Sequence, residues 1–382
     1  MDIKKVLFLA VTIITFCSLN VVSFASQTNN PIEILDYANE IGKEAIDTIP
    51  PSAREFLYDI SSQDITIKSI IELGPKKIWE NVKYYIKNLS VKPLKTFSTI
   101  AGLIIICAFI ESASVEFMEK KLSTVFKMVS VICLSTTMVN PILSCIKDGA
   151  MAIEECSNFI KVLVPTMASI LTVSGQPITA TTYNVMLLAV CQVVSFIAGN
   201  VIVPLLSIYL AFCMVGSAMD EKSMIALAGG IKNIVNWALG LVMCLFVGFL
   251  TLQTFVESAS DNLSIRATKF MITSFVPVVG SALSEAFAVT KGCMGFIKSA
   301  VGTFGTVIVA ISFLPILVRI CLWYIVIQVS SFIGEVLGVN SLSAMLKSSG
   351  NVLALILSLI LSFVLLTIIT TTLILMMGLG GT

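Results

Sequence analysis

No histidine occurs among the 382 residues. That removes Ser/His/Asp triads, Cys/His dyads, His-ligated zinc and the usual near-neutral proton switch together. The ten cysteines contain no CxxC pair, so neither a disulfide framework nor a metal ribbon is indicated. Most stand in apolar runs, where a free thiol behaves as a small hydrophobe. Glu154-Glu155 has the paired glutamates of one intramembrane protease class, but Phe159 stands where an arginine is required. Val173-Ser174-Gly175 follows Thr172 rather than the glycine of rhomboid-like chemistry, and Gly216 to Asp220 does not spell Gly-x-Gly-Asp. No GxxxxGK[ST] phosphate loop is present. The expectation is a protein that is not an enzyme, with no catalytic, cofactor-binding or metal-ligating residues and no cofactor.

The chemistry that remains is charge and backbone irregularity inside apolar sequence. Arg319 lies within Pro315-Ile-Leu-Val-Arg-Ile-Cys-Leu-Trp323, and an ion inside a membrane segment is a functional candidate by default. Its competing role is an anchor. If Pro315 starts a helix, Arg319 sits one turn inside and can snorkel to the interface. Glu285, beside Pro277 and Gly280, is the acidic partner to test. Pro165, Pro204 and Pro315 complete the set of candidate pathway or packing residues, because each interrupts an apolar run. Gly295, Ser299 and Thr303 recur every four residues beside Gly302 and Thr306, a small-residue pattern that lets a second helix approach closely.

The elements that would position these residues follow from composition and patterning. Hydrophobic residues make up 57% of the chain and charged residues 12%, against about 25% charged in a soluble domain. The mean hydropathy is +0.98, and the formal net charge of +1 gives no basic field for a nucleic acid. Lys4 and Lys5, an apolar stretch to about Val22 and then Ser23-Phe24-Ala25 read as a signal peptide over 1–25. Residues 26–95 read as a short exported helical segment, with helix starts at Asn30-Pro31-Ile32-Glu33 and at the capping box Ser52-Ala53-Arg54-Glu55. A third helix from Gly74-Pro75 turns Ile78, Val82, Tyr85, Ile86 and Leu89 to one face and Lys76, Lys77, Glu80, Lys83 and Lys87 to the other. That helix has three fates: lying on the lipid surface, docking on a partner, or packing on its own segment. With Lys92 and Lys95, its lysines favour a cytoplasmic side. The export signal opposes them and is given precedence.

Residues 96–382 read as a polytopic transmembrane domain, an all-α helical bundle of about seven to nine spans. Pro204 and Pro315 either begin new helices or kink long ones, so Tyr183–Ala218 and Val301–Ile333 could each fold back as two spans. Phe159–Gly175 and Phe270–Thr290 are apolar but broken. The charged stretches Glu116–Lys121, Asp220–Lys222 and Glu257–Lys269 read as solvated loops. Val164-Pro165, Ser169 and Leu171 match Val276-Pro277, Ser281 and Leu283 at an offset of 112, Pro204 and Leu206 match Pro315 and Leu317 at 111, and Ala238-Leu239 matches Ala354-Leu355 at 116. The order suggests a candidate internal duplication, repeats 159–256 and 270–372, and such repeats with broken segments point to a transporter-like site at their interface.

The layout, with Val164-Pro-Thr-Met-Ala-Ser-Ile-Leu-Thr-Val-Ser-Gly175 and Phe275-Val-Pro-Val-Val-Gly-Ser-Ala-Leu-Ser-Glu285, resembles the stage III sporulation protein AE family of endospore-forming Firmicutes. The resemblance covers nearly the whole chain and rests on the ordered combination. It implies a multi-pass protein of the mother-cell membrane surrounding the forespore, with an exported N-terminal segment. It also implies membership, with other stage III sporulation proteins, of the transenvelope channel or feeding-tube complex between mother cell and forespore. A role as a permease-like or export-apparatus component needed for late forespore gene expression follows. The expected partners are those proteins, the lipid bilayer and further copies of the chain, with no nucleic acid. An autonomous secondary transporter of a small solute is the alternative; a septal scaffold that conducts nothing is a third.

Overall fold

The structure is a computed structural model. It describes residues 38–60, 65–71, 75–117, 120–219, 221, 223–244, 246–248, 251 and 280–377. The signal peptide, the first helix start at Asn30, Pro277 and the charged stretch 257–269 lie outside the described residues.

Three short helices lead: α1 (Lys43–Asp47), α2 (Pro51–Ile60) and α3 (Ile67–Ile71). Pro51 opens α2, where a missing N–H costs nothing. The amides of Ala53 and Arg54 both donate to the Pro50 carbonyl. Ser52 therefore falls inside the first turn, and its hydroxyl has no partner among the described residues; the capping box does not form. Arg54 instead ties α2 back to the end of α1 by donating to the Asp47 carbonyl at 3.0 Å. Asn39 caps the third helix across the segment, its Oδ1 accepting from the Ile67 amide at 2.8 Å.

Long helices follow: α4 (Pro75–Phe117) and α5 (Lys120–Val173), then α6 (Pro177–Ile197). The last continues through a π turn (Ala198–Ile202) into α7 (Val203–Met219). Next come α8 (Ser223–Gly248), α9 (Gly280–Val336) and α10 (Asn340–Met377). The described residues contain helices and turns and no strand. Among the described residues six stretches are long and apolar enough to cross a membrane: Trp79–Ser112, Val125–Val173, Pro177–Met219, Ser223–Gly248, Gly292–Val336 and Asn340–Thr372.

Pro165, Pro204 and Pro315 do not break the helices that hold them. Pro315 and Pro165 sit inside α9 and α5, so Val301–Ile333 is one helix, and Phe159–Val173 is the last part of a 54-residue helix. Pro204 follows the π turn, where the Val203 amide already reaches five residues back to the Ala198 carbonyl. A wider turn just before a proline leaves room for its ring and tolerates the lost donor. The amphipathic helix is likewise not a separate element. It runs on past Lys95 into the first apolar stretch as one helix. Val82 and Tyr85 pack on the core, while Lys83, Lys87, Lys92 and Lys95 are exposed.

Packing follows the antiparallel order of the long helices. The α9–α10 pair forms the centre and α5 packs on both; α6 and α7 lie on α5, and α7 also touches α10. The short helices dock on this frame, α2 and α3 against α9 and α1 against α5, and Phe56 of α2 meets Tyr85 of α4 with ring centres 5.3 Å apart. Gly175 (φ 84°) and Gly338 (φ 81°) close the α5–α6 and α9–α10 turns, a left-handed conformation that glycine enters without a Cβ penalty.

Candidate functional site

The site starts from two residues one turn apart on α5. Ser144 and Asp148 stand at i and i+4, so both face the same way, and the Ser144 hydroxyl donates to Asp148 Oδ2 at 3.1 Å. Across the helix interface, one guanidinium nitrogen of Arg319 on α9 pairs with that same carboxylate oxygen. The other donates to the Ser144 hydroxyl at 3.1 Å. Three side chains therefore close a triangle in which the arginine fork binds the carboxylate and the hydroxyl that orients it.

Neighbouring residues hold the triangle together. Gly149 follows Asp148, and a Cβ there would come within 2.9 Å of Ile356 on α10. Glycine thus lets α10 lie close behind the acidic residue. About three and four turns on, α5 and α9 lock through Phe159 and Phe304, 6.2 Å apart, and a Cβ at Gly305 would overlap Leu163. On the far side of α9, Phe313 meets Phe363 of α10 at 5.6 Å and Thr306 shares a hydroxyl bond with Thr371 at 3.1 Å. Nearer the turn, Ser331 and Ser343 donate to each other's carbonyls at 3.1 and 2.9 Å.

Continuity of α9 changes the meaning of Arg319. The residue is 27 positions from the Gly292 end of its apolar stretch and 17 from the Val336 end, so at 1.5 Å per residue both ends lie about 25 Å away or more. Arg319 pairs midway along a continuous helix with a counter-ion on the facing helix, and its side chain and that of Asp148 are 39% and 25% exposed. They are half-open rather than sealed.

Glu285 is not its partner. It stands on the same helix 34 residues earlier, about 50 Å along the axis. Gly280 opens α9, Pro204 and Pro165 lie in α7 and α5, and Pro315 lies one turn before Arg319 within α9. The close helix contact falls at Gly305 rather than at Gly295, beside which a Cβ would meet nothing within 4 Å. Asp148 and Ser144 were missed in the sequence. Their i, i+4 spacing between two apolar runs was a usable signal, but nothing local ties Asp148 to a residue 171 positions away. Lys298 was missed too: it is buried in α9, and its ammonium has no hydrogen-bond partner among the described residues.

A crevice beside the π turn, lined by Val194, Ile197, Ile202, Leu239, Leu359 and Phe363, is apolar apart from Ser362, whose hydroxyl donates to the Ser358 carbonyl of its own helix at 2.7 Å. Among the described residues no cluster of three His, Cys, Asp or Glu side chains could hold a metal ion.

Long apolar antiparallel helices around an interior ion pair define an all-α, multi-pass membrane protein. The family model for stage III sporulation protein AE matches residues 60–378; the chain belongs to that family. A curated relative, stage III sporulation protein AE of Bacillus subtilis (strain 168), is 22% identical over 276 residues, covering 72% of this chain and 68% of the relative. No solved structure matches the chain significantly.

Proposed function

We propose that the chain is a non-enzymatic subunit of the sporulation transenvelope channel between mother cell and forespore, seated in the mother-cell membrane around the forespore. In this reading residues 1–25 direct export, 26–95 form the exported segment that meets other stage III sporulation proteins, and 96–382 form or brace a permease-like passage. The observation that carries it is the Arg319–Asp148–Ser144 triangle in the interior of a multi-pass member of a sporulation family. An ion pair kept in apolar surroundings is costly to build, and a polar passage is what would justify it.

The test is an in-frame deletion in the source organism with a late forespore reporter, joined to detergent pull-downs from sporulating cells. Arrest after engulfment, a silent reporter and recovery of other stage III proteins are the expected results. Normal spores, or a chain recovered alone, would overturn the reading.

A second reading, an autonomous secondary transporter, draws on the turns that close two helix pairs. The Glu221 amide donates to the Gly216 carbonyl at 3.0 Å, and the Val339 amide to that of Gly334 at 3.0 Å. The next helical bonds, Ile225 to Glu221 and Ser343 to Val339, also correspond. In both turns the following helix passes the first glycine closely: a Cβ at Gly216 would meet Ile225 at 2.9 Å and one at Gly334 would meet Ser343 at 3.3 Å. The offset is 118, near the 111 at Pro204 and the 116 at Ala238 that flank it but larger than both; the α5–α6 turn has the same bond but Leu171 at the first position. This supports repeats over 159–256 and 270–372. Replacing Arg319 and Asp148 together should abolish solute flux in vesicles if the transporter reading holds; unchanged flux removes its basis.

A further inference from the structure

Charge fixes the level at which α4 can cross a bilayer. The helix holds Lys76, Lys77, Glu80, Lys83, Lys87, Lys92 and Lys95, then nothing charged until Glu111. Residues 96–110 are thus uncharged, and no other uncharged run in α4 is longer than four residues. A charged side chain facing hydrocarbon is costly, so this run is the part of α4 that lipid can surround, and Ile105, Ile106 and Phe109 are exposed within it. From Lys92 to Glu111 the helix rises about 28 Å, close to the thickness of a hydrocarbon core.

Two contacts set the register in which α5 runs back beside α4. Lys127 pairs with Glu111 at 2.8 Å, and one turn inward the side chains of Ser130 and Cys107 meet. Lys92 is 19 residues from Glu111 and Lys147 is 20 from Lys127, so in this register the two lysines stand level to within about 2 Å. Between Lys127 and Lys147, α5 carries no charge and exposes Val129 and Ile132. The pattern recurs on α9: from Arg319, which meets Asp148 next to Lys147, it is uncharged as far as Glu335, whose carboxylate takes Lys347. Lys232 of α8 is half-buried and within electrostatic reach of the buried Cys213 of α7, so it faces the bundle rather than lipid.

The two boundaries of this uncharged band differ. At one, Glu111 pairs with Lys127 and Glu335 with Lys347. At the other, Lys92, Lys95 and Lys147 are exposed, and none of them joins an ion pair among the described residues. Asp148 is taken by Arg319. The next acids outward are Glu154 on α5 and Glu80 on α4, about 10 and 18 Å further along the two axes. Three unpaired cations therefore stand on two packed helices at the depth of lipid headgroups, where the complementary charge is phosphate.

We propose that Lys92, Lys95 and Lys147 form a basic rim at one membrane boundary that binds the phosphate groups of anionic phospholipids. Beyond Lys147, α5 with its exposed Glu154 and Lys161 then stands outside the hydrocarbon, and the half-open Arg319–Asp148 pair marks the mouth of the bundle. The rim requires only that the chain spans a membrane, so it can fail while the reading of the chain as a channel subunit stands.

The test uses the full chain in neutral detergent micelles, with bound lipid counted by native mass spectrometry as phosphatidylglycerol or phosphatidylcholine is added. Each basic residue near an anionic surface is worth about fivefold in affinity. Phosphatidylglycerol should therefore bind at least about tenfold more tightly than phosphatidylcholine, and K92Q/K95Q/K147Q should lose at least about tenfold of that preference. K127Q, at the paired boundary, should keep it, and inorganic phosphate should not displace the lipid. No preference in the unaltered chain, a preference retained by the triple variant or an equal loss in K127Q would overturn the proposal. Displacement by inorganic phosphate would do so too, by giving the rim to a soluble anion. The level of the boundary has its own readout in vesicles of the two lipids. A charged methanethiosulfonate present on both sides reacts with thiolate, which forms in water, so E154C should label at least about tenfold faster than I106C, with peptides resolved by mass spectrometry to set the native thiols apart. Equal rates would overturn the placement of the rim.

Discussion

Removing the carboxylate of Asp148 while leaving Arg319 in place is the sharpest perturbation of the site. The guanidinium would keep its bond to Ser144 but lose its counter-ion, about 25 Å or more of helix from either end of its apolar stretch. Stripping one partner from a fully buried pair costs about 3–5 kcal/mol. Exposure of 39% and 25% on the two side chains lets water or lipid headgroups screen part of this, and about 2 kcal/mol is the reasonable share. D148A should therefore shift the unfolding equilibrium roughly thirtyfold, since each 1.4 kcal/mol is a factor of ten. R319A leaves the smaller, better-solvated carboxylate and should cost somewhat less. The double variant D148A/R319A removes both charges, so it should be more stable than D148A alone, with a coupling energy of about 1.5–2 kcal/mol. Unfolding of the purified chain in mixed detergent micelles, followed by circular dichroism against denaturing detergent fraction, measures all three. Additive losses, with coupling below about 0.5 kcal/mol, would show that the pair is an incidental contact and would refute its role in joining α5 to α9.

Other contacts give independent checks. A Cβ at Gly305 would overlap Leu163, so G305A should cost about 1–3 kcal/mol in the same assay and recover most of it in G305A/L163A; no recovery would mean that the α5–α9 approach is set elsewhere. S331A and S343A each break a reciprocal bond at the α9–α10 turn and should lower the thermal midpoint by the equivalent of about 1 kcal/mol, with the double variant losing less than the sum. K298M should raise the midpoint, because the buried ammonium lacks a partner among the described residues and the thioether costs little to bury. A fall would mean the ammonium is held by an anion. Y85A, which removes the ring that Phe56 packs on, should speed proteolysis within residues 38–60 and leave the long helices intact on gels of limited digests.

The sequence made the architecture legible where the signal was local and strong. Charge depletion and long apolar runs announce a helical membrane protein, because a backbone in lipid must satisfy its own hydrogen bonds. What it misjudged was continuity. Proline breaks a helix in water at a cost of about 3 kcal/mol, yet Pro165 and Pro315 sit in helices held on both sides by neighbours, and Pro204 follows a π turn. Lateral packing outweighed the local preference. Arg319 stood out because a lone charge in an apolar run needs no alignment to be noticed. Asp148 did not, because it sits among Lys147, Glu154 and Glu155, where it looked like one polar residue among several. Only the antiparallel register of α5 and α9 selects it.

The unbroken helices also have a mechanical meaning. At 57 and 54 residues, α9 and α5 are each about 80 Å long or more, nearly three times the hydrocarbon thickness. Rods of that length are levers. A tilt of about 5° pivoting at one end sweeps the other through about 7 Å, comparable to a full helical turn. The short N-terminal helices grip α9 and α5, so a tug on them by a partner would be delivered along the rods as displacement.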